Sequence, residues 1–197
     1  MLLRAAAAVF IGYIIGSINF AILISNMVQK NDVRRLGSGN AGATNMARSF
    51  GIISGLTTML CDMAKAALAI YLGQILTGDA GIAFGGISCL IGHCYPLFYG
   101  FRGGKGVAVG AIVVLFASPR AFAAVIIIFA AVALMFRKVS LASICATVSA
   151  VVIICLSQCS LYCKISIVIA ATIIIVRHRQ NIQRLISGTE SDFVIRK

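Results

Sequence analysis

Three segments of the chain carry polar residues that loops joining apolar helices do not need. The first, Gly37–Arg48, reads GSGNAGATNMAR. Its three glycines expose backbone N–H groups, Ser38, Asn40, Thr44 and Asn45 add neutral hydrogen-bonding groups, and Arg48 ends the stretch with a guanidinium. Such a loop entering a helix can hold phosphate oxygens through amides, helix dipole and a bidentate cation. The plainer use is a linker whose Thr44 or Asn45 caps the helix that follows.

The second segment, Gly92–Gly110, is built around Arg102-Gly103-Gly104-Lys105-Gly106, a phosphate cradle in composition. It is not a Walker A loop, which requires Ser or Thr after the lysine and a glycine where Tyr99 stands. An ATPase is therefore disfavoured. The alternative is a tight turn with a snorkelling lysine, and His93, three residues before Pro96, reads as a structural hydrogen-bonder. In the third segment, Arg177–Glu190 (RHRQNIQRLISGTE), Ile182, Leu185 and Ile186 form an apolar stripe at helical spacing. His178 and Asn181 share a face three residues apart. His178 is expected to titrate near neutrality, and Glu190, the only glutamate in the chain, is expected to pair with a nearby arginine. Lipid-surface binding by a basic helix is the simpler reading of this segment. Asp62 and Lys65, three apart in an apolar run, are positioned for mutual pairing, and Ser140 can serve as a helix cap.

Other chemistries lack their residues. Five carboxylates, widely separated, do not assemble a two-metal site, and no Gly-x-Ser-x-Gly elbow occurs. No cofactor motif is present. The seven cysteines contain no C-x-x-C and read as buried apolar fillers. What remains is cationic and amide-rich, suited to an anionic substrate that arrives already activated.

The elements that must position these groups are membrane helices. The 197 residues are 60% hydrophobic and 11% charged, with a mean hydropathy of +1.03; a soluble domain carries roughly 25% charged residues. Apolar runs fall near 5–28, 52–77, 80–99, 107–117, 121–136, 139–157 and 161–176. Ser118-Pro119-Arg120 divides the fourth from the fifth, and a hairpin there gives seven spans. The first run continues past any signal-peptide cleavage pattern and reads as a retained span. With the N-terminus outside, thirteen basic residues share one side: Lys30, Arg34, Arg35, Arg48, Arg102, Lys105, Arg137, Lys138, Arg177, Arg179, Arg184, Arg196 and Lys197. Arg4, Arg120 and Lys164 share the other, and Lys65 lies within a span. The bias places the thirteen in the cytoplasm. The net charge of +12 is thus read as membrane orientation and phosphorylated ligands, with no nucleic acid. Gly12/Gly16, Gly51/Gly55 and Gly81/Gly85 have the spacing that lets helix backbones approach. The expected fold is an all-α, polytopic membrane bundle of about seven helices, with the C-terminus cytoplasmic and residues 1–197 forming one domain.

Together the three segments resemble the bacterial acyl-phosphate:glycerol-3-phosphate acyltransferase family of the PlsY type. Ser38–Arg48 follows SGN-x-GATN-x-x-R. His93–Ala108 follows His-x-aromatic-Pro and then Gly-Gly-Lys-Gly-Val-Ala, and Arg177–Glu190 follows RH-x-x-NI-x-RL-x-x-G-x-E. The resemblance spans the chain and departs at Val109, where the family usually has threonine, and at Ala66, where glycine is common. It implies transfer of a fatty acyl group from acyl phosphate to the 1-hydroxyl of glycerol 3-phosphate, the first step of phospholipid biosynthesis. The products are lysophosphatidic acid and phosphate. It implies a site on the cytoplasmic face of the bacterial plasma membrane, and as a partner the soluble enzyme that makes acyl phosphate. Catalytic roles carry to Ser38, Arg48, Lys105, His178 and Asn181. Substrate contacts carry to Asn40, Thr44, Asn45, Gly103, Gly104, Gly106 and Ser140, and Glu190 is structural. Because an acyl phosphate is a mixed anhydride, direct transfer needs no acyl-enzyme. Lys105, Arg48 and loop amides would hold the leaving phosphate, with His178 or a substrate phosphate as base and the phosphate favoured. The alternative is a transporter of a phosphorylated metabolite, although transporter sites lie nearer the midplane.

Overall fold

The structure, a computed structural model, describes residues 1–28 and 30–192. Arg196 and Lys197 of the charge count lie outside them. The described chain is helical, with no strand. Helix α1 (Leu2–Ser17) breaks at Ile18 and resumes as α2 (Phe20–Val28). Extended backbone at Ile18 interrupts the ladder, and the Asn19 side chain restarts it by accepting from the Ile22 amide at 3.1 Å. A short α3 (Ala43–Phe50) leads into the long α4 (Ile52–Thr77). A π-helical segment, Ile82–Ile87, continues as α5 (Ser88–Cys94). Then come α6 (Val107–Ala117), α7 (Pro119–Phe136), α8 (Val139–Leu156) and α9 (Leu161–Arg177). Helix α10 (Arg179–Ile186) leaves α9 at a bend of 58°.

All seven apolar runs are helical, but they are not equally long. Five stretches, Leu2–Val28, Ile52–Ala80, Ile82–Tyr99, α7 and α8, have the length and hydropathy of a membrane span, and α9 with α10 makes a sixth. Helix α6, with 11 residues, extends only about 16 Å against a hydrocarbon core of about 30 Å. The Pro119 hairpin is real. Ser118 is extended and caps α7 by accepting from the Ala121 amide, and Val107 and Phe129 line one cavity. A continuous helix would hold those two about 33 Å apart.

Backbone proximity fixes the inner wall. A Cβ on Gly12 would press on the Gly85 carbonyl, and one on Gly16 on the backbone of Cys89. Gly81 and Gly85 in turn lie against Gly73–Gln74 and Ala69 of α4. Two of the three glycine pairs thus join α1, α4 and the π-helical segment at backbone distance. The third pair divides its work: Gly55 admits Ala47 of α3, whereas Gly51 is a left-handed turn residue at φ +88°. Large apolar side chains such as Leu60, Leu134 and Leu156 face outward, as a lipid-solvated surface requires. The ends of the bundle differ. At one, Cys159 Sγ reaches the Ala117 carbonyl; the three polar segments converge at the other.

Candidate active site

The three segments close around a cavity of about 720 Å³. Ser38, Asn40, Thr44, Asn45, Arg48, Lys105, Gly106, Ser140, His178, Asn181 and Glu190 all line it. Its far wall is apolar, from Met59 and Met63 of α4, Val107 and Ala111 of α6, and Ile126 and Phe129 of α7. One end is therefore a cluster of charge and amides, and the other is hydrocarbon. Gly103 and Gly104 do not line it.

In the first segment Asn45 shapes the loop. Its two Nδ2–H bonds are shared among the carbonyls of Val33, Leu36 and Asn40 at 3.0–3.1 Å, and its Oδ1 accepts from the Ser38 amide at 2.9 Å. Both ends of the amide are engaged within the loop, which folds the backbone so that Ser38 and Asn40 reach the cavity. Neither Thr44 nor Asn45 caps α3; Gly42 stands at that position with no side-chain cap. Thr44 and Arg48, both half-buried, sit on α3 one turn apart at the cavity wall.

The second segment differs from a phosphate cradle in one respect. The Gly103 and Gly104 amides donate to the carbonyls of Cys94 and His93 at 3.2 and 3.1 Å. Their own carbonyls accept from Arg177 at 3.1 Å each, and that guanidinium stacks 5.0 Å from the Tyr95 ring. With the amides so used, these two glycines are a hinge pin. Glycine is needed because a Cβ on Gly103 would strike the His93 carbonyl and one on Gly104 the His93 ring. Gly106 then turns the chain at φ +85° into α6. The first-turn amides of that helix have no intrahelical acceptor, and the residues that begin it, Gly106, Val107 and Ala108, line the cavity.

The third segment holds Lys105. Its ammonium donates to Asn181 Oδ1, and Asn181 Nδ2 donates to Glu190 Oε1 at 2.7 Å. Ser140 Oγ donates to the same oxygen at 2.6 Å, and Arg184 binds Oε2 at 2.7 Å. The expected arginine partner of Glu190 is thus Arg184. Ser140 is no cap, that position of α8 being Lys138; it serves the glutamate. Burial works against the Glu190 charge, yet the bonds from Ser140, Arg184 and Asn181 hold its carboxyl below the usual range. Burial of Lys105 pushes its ammonium down to about 8, only partly opposed by Glu190 and reinforced by Arg184, Arg177 and Arg48.

His178 stands at the α9–α10 elbow, beyond the end of the α9 span. Its Nδ1 lies 2.8 Å from the Ile174 carbonyl, an oxygen that only accepts. The ring therefore carries its proton on Nδ1 and offers Nε2 as an acceptor. Burial pushes its pKa down to about 4, the Ile174 bond opposing and Lys105 adding to the shift. The expected titration near neutrality is corrected accordingly, because the ring is 2% exposed among cations.

Sequence reasoning passed over Arg177 as an anchor, although it adjoins His178. It also missed the wall residues Asp62 and His93. Beside the main cavity, a second hollow of about 590 Å³ is lined by Arg34, Arg102, Lys105, Arg177, Arg179 and Arg184, with no carboxylate among the described residues that line it, although Asp32 pairs with Arg34 and Glu190 with Arg184.

A site that is ionic at one end and hydrocarbon at the other, set among membrane helices, defines an integral membrane enzyme that brings a charged substrate to a lipid-like one. The chain belongs to the glycerol-3-phosphate acyltransferase family, whose model matches residues 6–188, and it is a transferase. It is 42% identical over 180 residues to a glycerol-3-phosphate acyltransferase of Finegoldia magna, covering 91% of each chain. It is 41% identical to that of Halalkalibacterium halodurans, covering 91% of this chain and 90% of the relative. The fold is similar to the crystal structure of PlsY (YgiH), an integral membrane glycerol 3-phosphate acyltransferase. The glycerol 3-phosphate form matches with a TM-score of 0.91, 35% identity and 96% of each chain covered. The lysophosphatidic acid form matches with a TM-score of 0.88, 34% identity and coverage of 96% and 95%.

Proposed function

We propose that this chain transfers a fatty acyl group from acyl phosphate to the 1-hydroxyl of glycerol 3-phosphate, releasing lysophosphatidic acid and inorganic phosphate. The observation that carries the reading is the two-toned cavity, with Lys105 and Arg48 at its ionic end and Met63, Ile126 and Phe129 at its apolar end. The hydroxyl oxygen attacks the acyl carbonyl carbon, the carbon–oxygen bond to phosphate breaks, and the phosphate leaves with the electron pair. Lys105, Arg48 and the first-turn amides of α6 stabilise that charge. Gly103 and Gly104 contribute by placing Lys105. His178, a weak base with a free Nε2, accepts a hydrogen bond from the attacking hydroxyl and orients it, and the leaving phosphate takes the proton. Ser38, Asn40 and Thr44 offer hydroxyl and amide contacts to the polar substrate, while Asn181 and Ser140 act with Glu190 to hold Lys105.

The rest of the reading follows from charge. Thirteen basic residues on one side support seven spans with the N-terminus outside and the site facing the cytoplasm of a bacterial plasma membrane. Residues 1–197 form one acyltransferase domain, and the soluble enzyme that makes acyl phosphate is the expected partner. The test is turnover by purified protein with acyl phosphate and radiolabelled glycerol 3-phosphate. Labelled lysophosphatidic acid is expected, and robust turnover with acyl-CoA in the absence of acyl phosphate would overturn the donor assignment.

A further inference from the structure

Beneath the cavity lies a buried set of ionisable groups that the reaction above does not use. Lys65 Nζ has three N–H bonds and three acceptors: the Ile18 carbonyl at 2.7 Å, the Gly16 carbonyl at 3.2 Å and His93 Nδ1 at 3.1 Å. The two carbonyls are freed by the break between α1 and α2. Asp62 Oδ1 lies 2.7 Å from the same ammonium and neutralises it by charge, without an aligned hydrogen bond.

His93 Nδ1 also lies 3.4 Å from Asp62 Oδ1, without an aligned N–H···O bond; since the Lys65 ammonium at 3.1 Å only donates, Nδ1 accepts from it and the ring proton sits on Nε2. His93 is 4% exposed, its ring edge fills the space that a Gly104 side chain would take, and it lines the same cavity as Lys105. Nε2 has no protein partner among the described residues. The ring is buried while Nε2 itself opens on the cavity, so an N–H there is left to donate to an anion held in it.

We propose that His93 Nε2–H is a ligand for a substrate phosphate oxygen, a neutral donor beside Lys105 whose tautomer is fixed by Lys65 and Asp62. The inference rests on the proposed substrates only for the identity of the phosphate. Two sources share that chemistry, the phosphate of the acyl donor and that of glycerol 3-phosphate. The geometry also gives the two histidines of the chain opposite tautomers, His178 protonated on Nδ1 and His93 on Nε2.

Nitrogen-15 spectra of histidine-labelled protein in bilayer discs test this directly. One ring is expected with Nδ1 protonated and one with Nε2 protonated, the latter absent from His93→Gln and shifted by inorganic phosphate. Kinetically, His93→Leu should lose roughly tenfold to a hundredfold in kcat/KM, the range for a hydrogen bond to a charged group. His93→Gln, which can donate from nearly the same place, should stay within about threefold of the parent. The substrate whose KM rises identifies the phosphate bound. An Nδ1-protonated His93, a signal unmoved by phosphate, or equal losses in the two variants overturns the proposal. If His93→Leu does not fold, the spectrum of the unsubstituted protein still decides. Failure of that protein to use acyl phosphate would count against the proposed function alone, since the phosphate titration requires no turnover.

Discussion

The depressed basicity of Lys105 has a kinetic signature. With its pKa at about 8 instead of near 10.5, the ammonium is mostly charged at pH 7. At pH 9 only about a tenth remains charged. If that charge stabilises the leaving phosphate, kcat/KM should fall about tenfold per pH unit above 8, a profile that reports the free enzyme. The sign follows from the groups facing Lys105: burial, Arg184, Arg177 and Arg48 drive the proton off, and Glu190 opposes them. Lys105→Arg keeps its charge throughout this range, so its profile should be flat to about pH 10, at a lower plateau because a planar fork replaces a point charge. Glu190→Gln removes the opposing anion and should move the limb to lower pH. The assay is initial rate against pH with radiolabelled glycerol 3-phosphate, after subtraction of protein-free hydrolysis of acyl phosphate. An alkaline limb unchanged in Lys105→Arg would assign it to another group and refute the reasoning.

Lys105→Ala should lower turnover roughly a hundredfold to a thousandfold, the usual effect of losing one preorganised charge-stabilising group, as read by kcat under saturating substrates. Arg177→Met frees both glycine carbonyls of the hinge; with the partial exposure of the side chain discounted, about 2 kcal/mol is lost, or roughly a thirtyfold fall in kcat. His178→Asn should raise the KM for glycerol 3-phosphate while leaving pH dependence near neutrality unchanged, and loss of a neutral limb at saturating substrate would make His178 the base. In a cysteine-free background, single cysteines near Gly78 and Pro119 should react with an impermeant reagent added outside, whereas those near Asn40 and Gly103 should not; labelling of either motif loop would reverse the orientation.

Features that depend on local spacing were legible in the sequence. The apolar runs, the Pro119 turn, the Asp62–Lys65 pair and the Glu190–arginine pair follow from periodicity and near-neighbour chemistry, and the structure contains each. Groups joined across the fold were hidden. His93 meets Lys65 from 28 positions away, and the Gly103 and Gly104 amides find acceptors at the end of α5, in Cys94 and His93. Composition alone therefore read a hinge as a cradle. The caps that were the plainer alternative for Thr44 or Asn45 and for Ser140 are not made, for a related reason. A hydroxyl or amide can serve a distant partner as readily as the nearest backbone, and burial of the partner decides. The same burial displaced His178 from its expected neutral range.

The division of the cavity into an ionic mouth and a hydrocarbon recess has a consequence for how the enzyme meets its reactants. Glycerol 3-phosphate arrives from three-dimensional solution, and its effective concentration is a molarity. On the proposed reaction the long-chain acyl donor would partition into the bilayer, where the relevant measure is its mole fraction in the membrane plane. Diluting the membrane with inert lipid at fixed total donor should therefore weaken apparent saturation by the donor and leave that by the polar substrate unchanged. Kinetic constants for the two substrates belong to different phases, and the active site is the boundary at which those phases exchange matter.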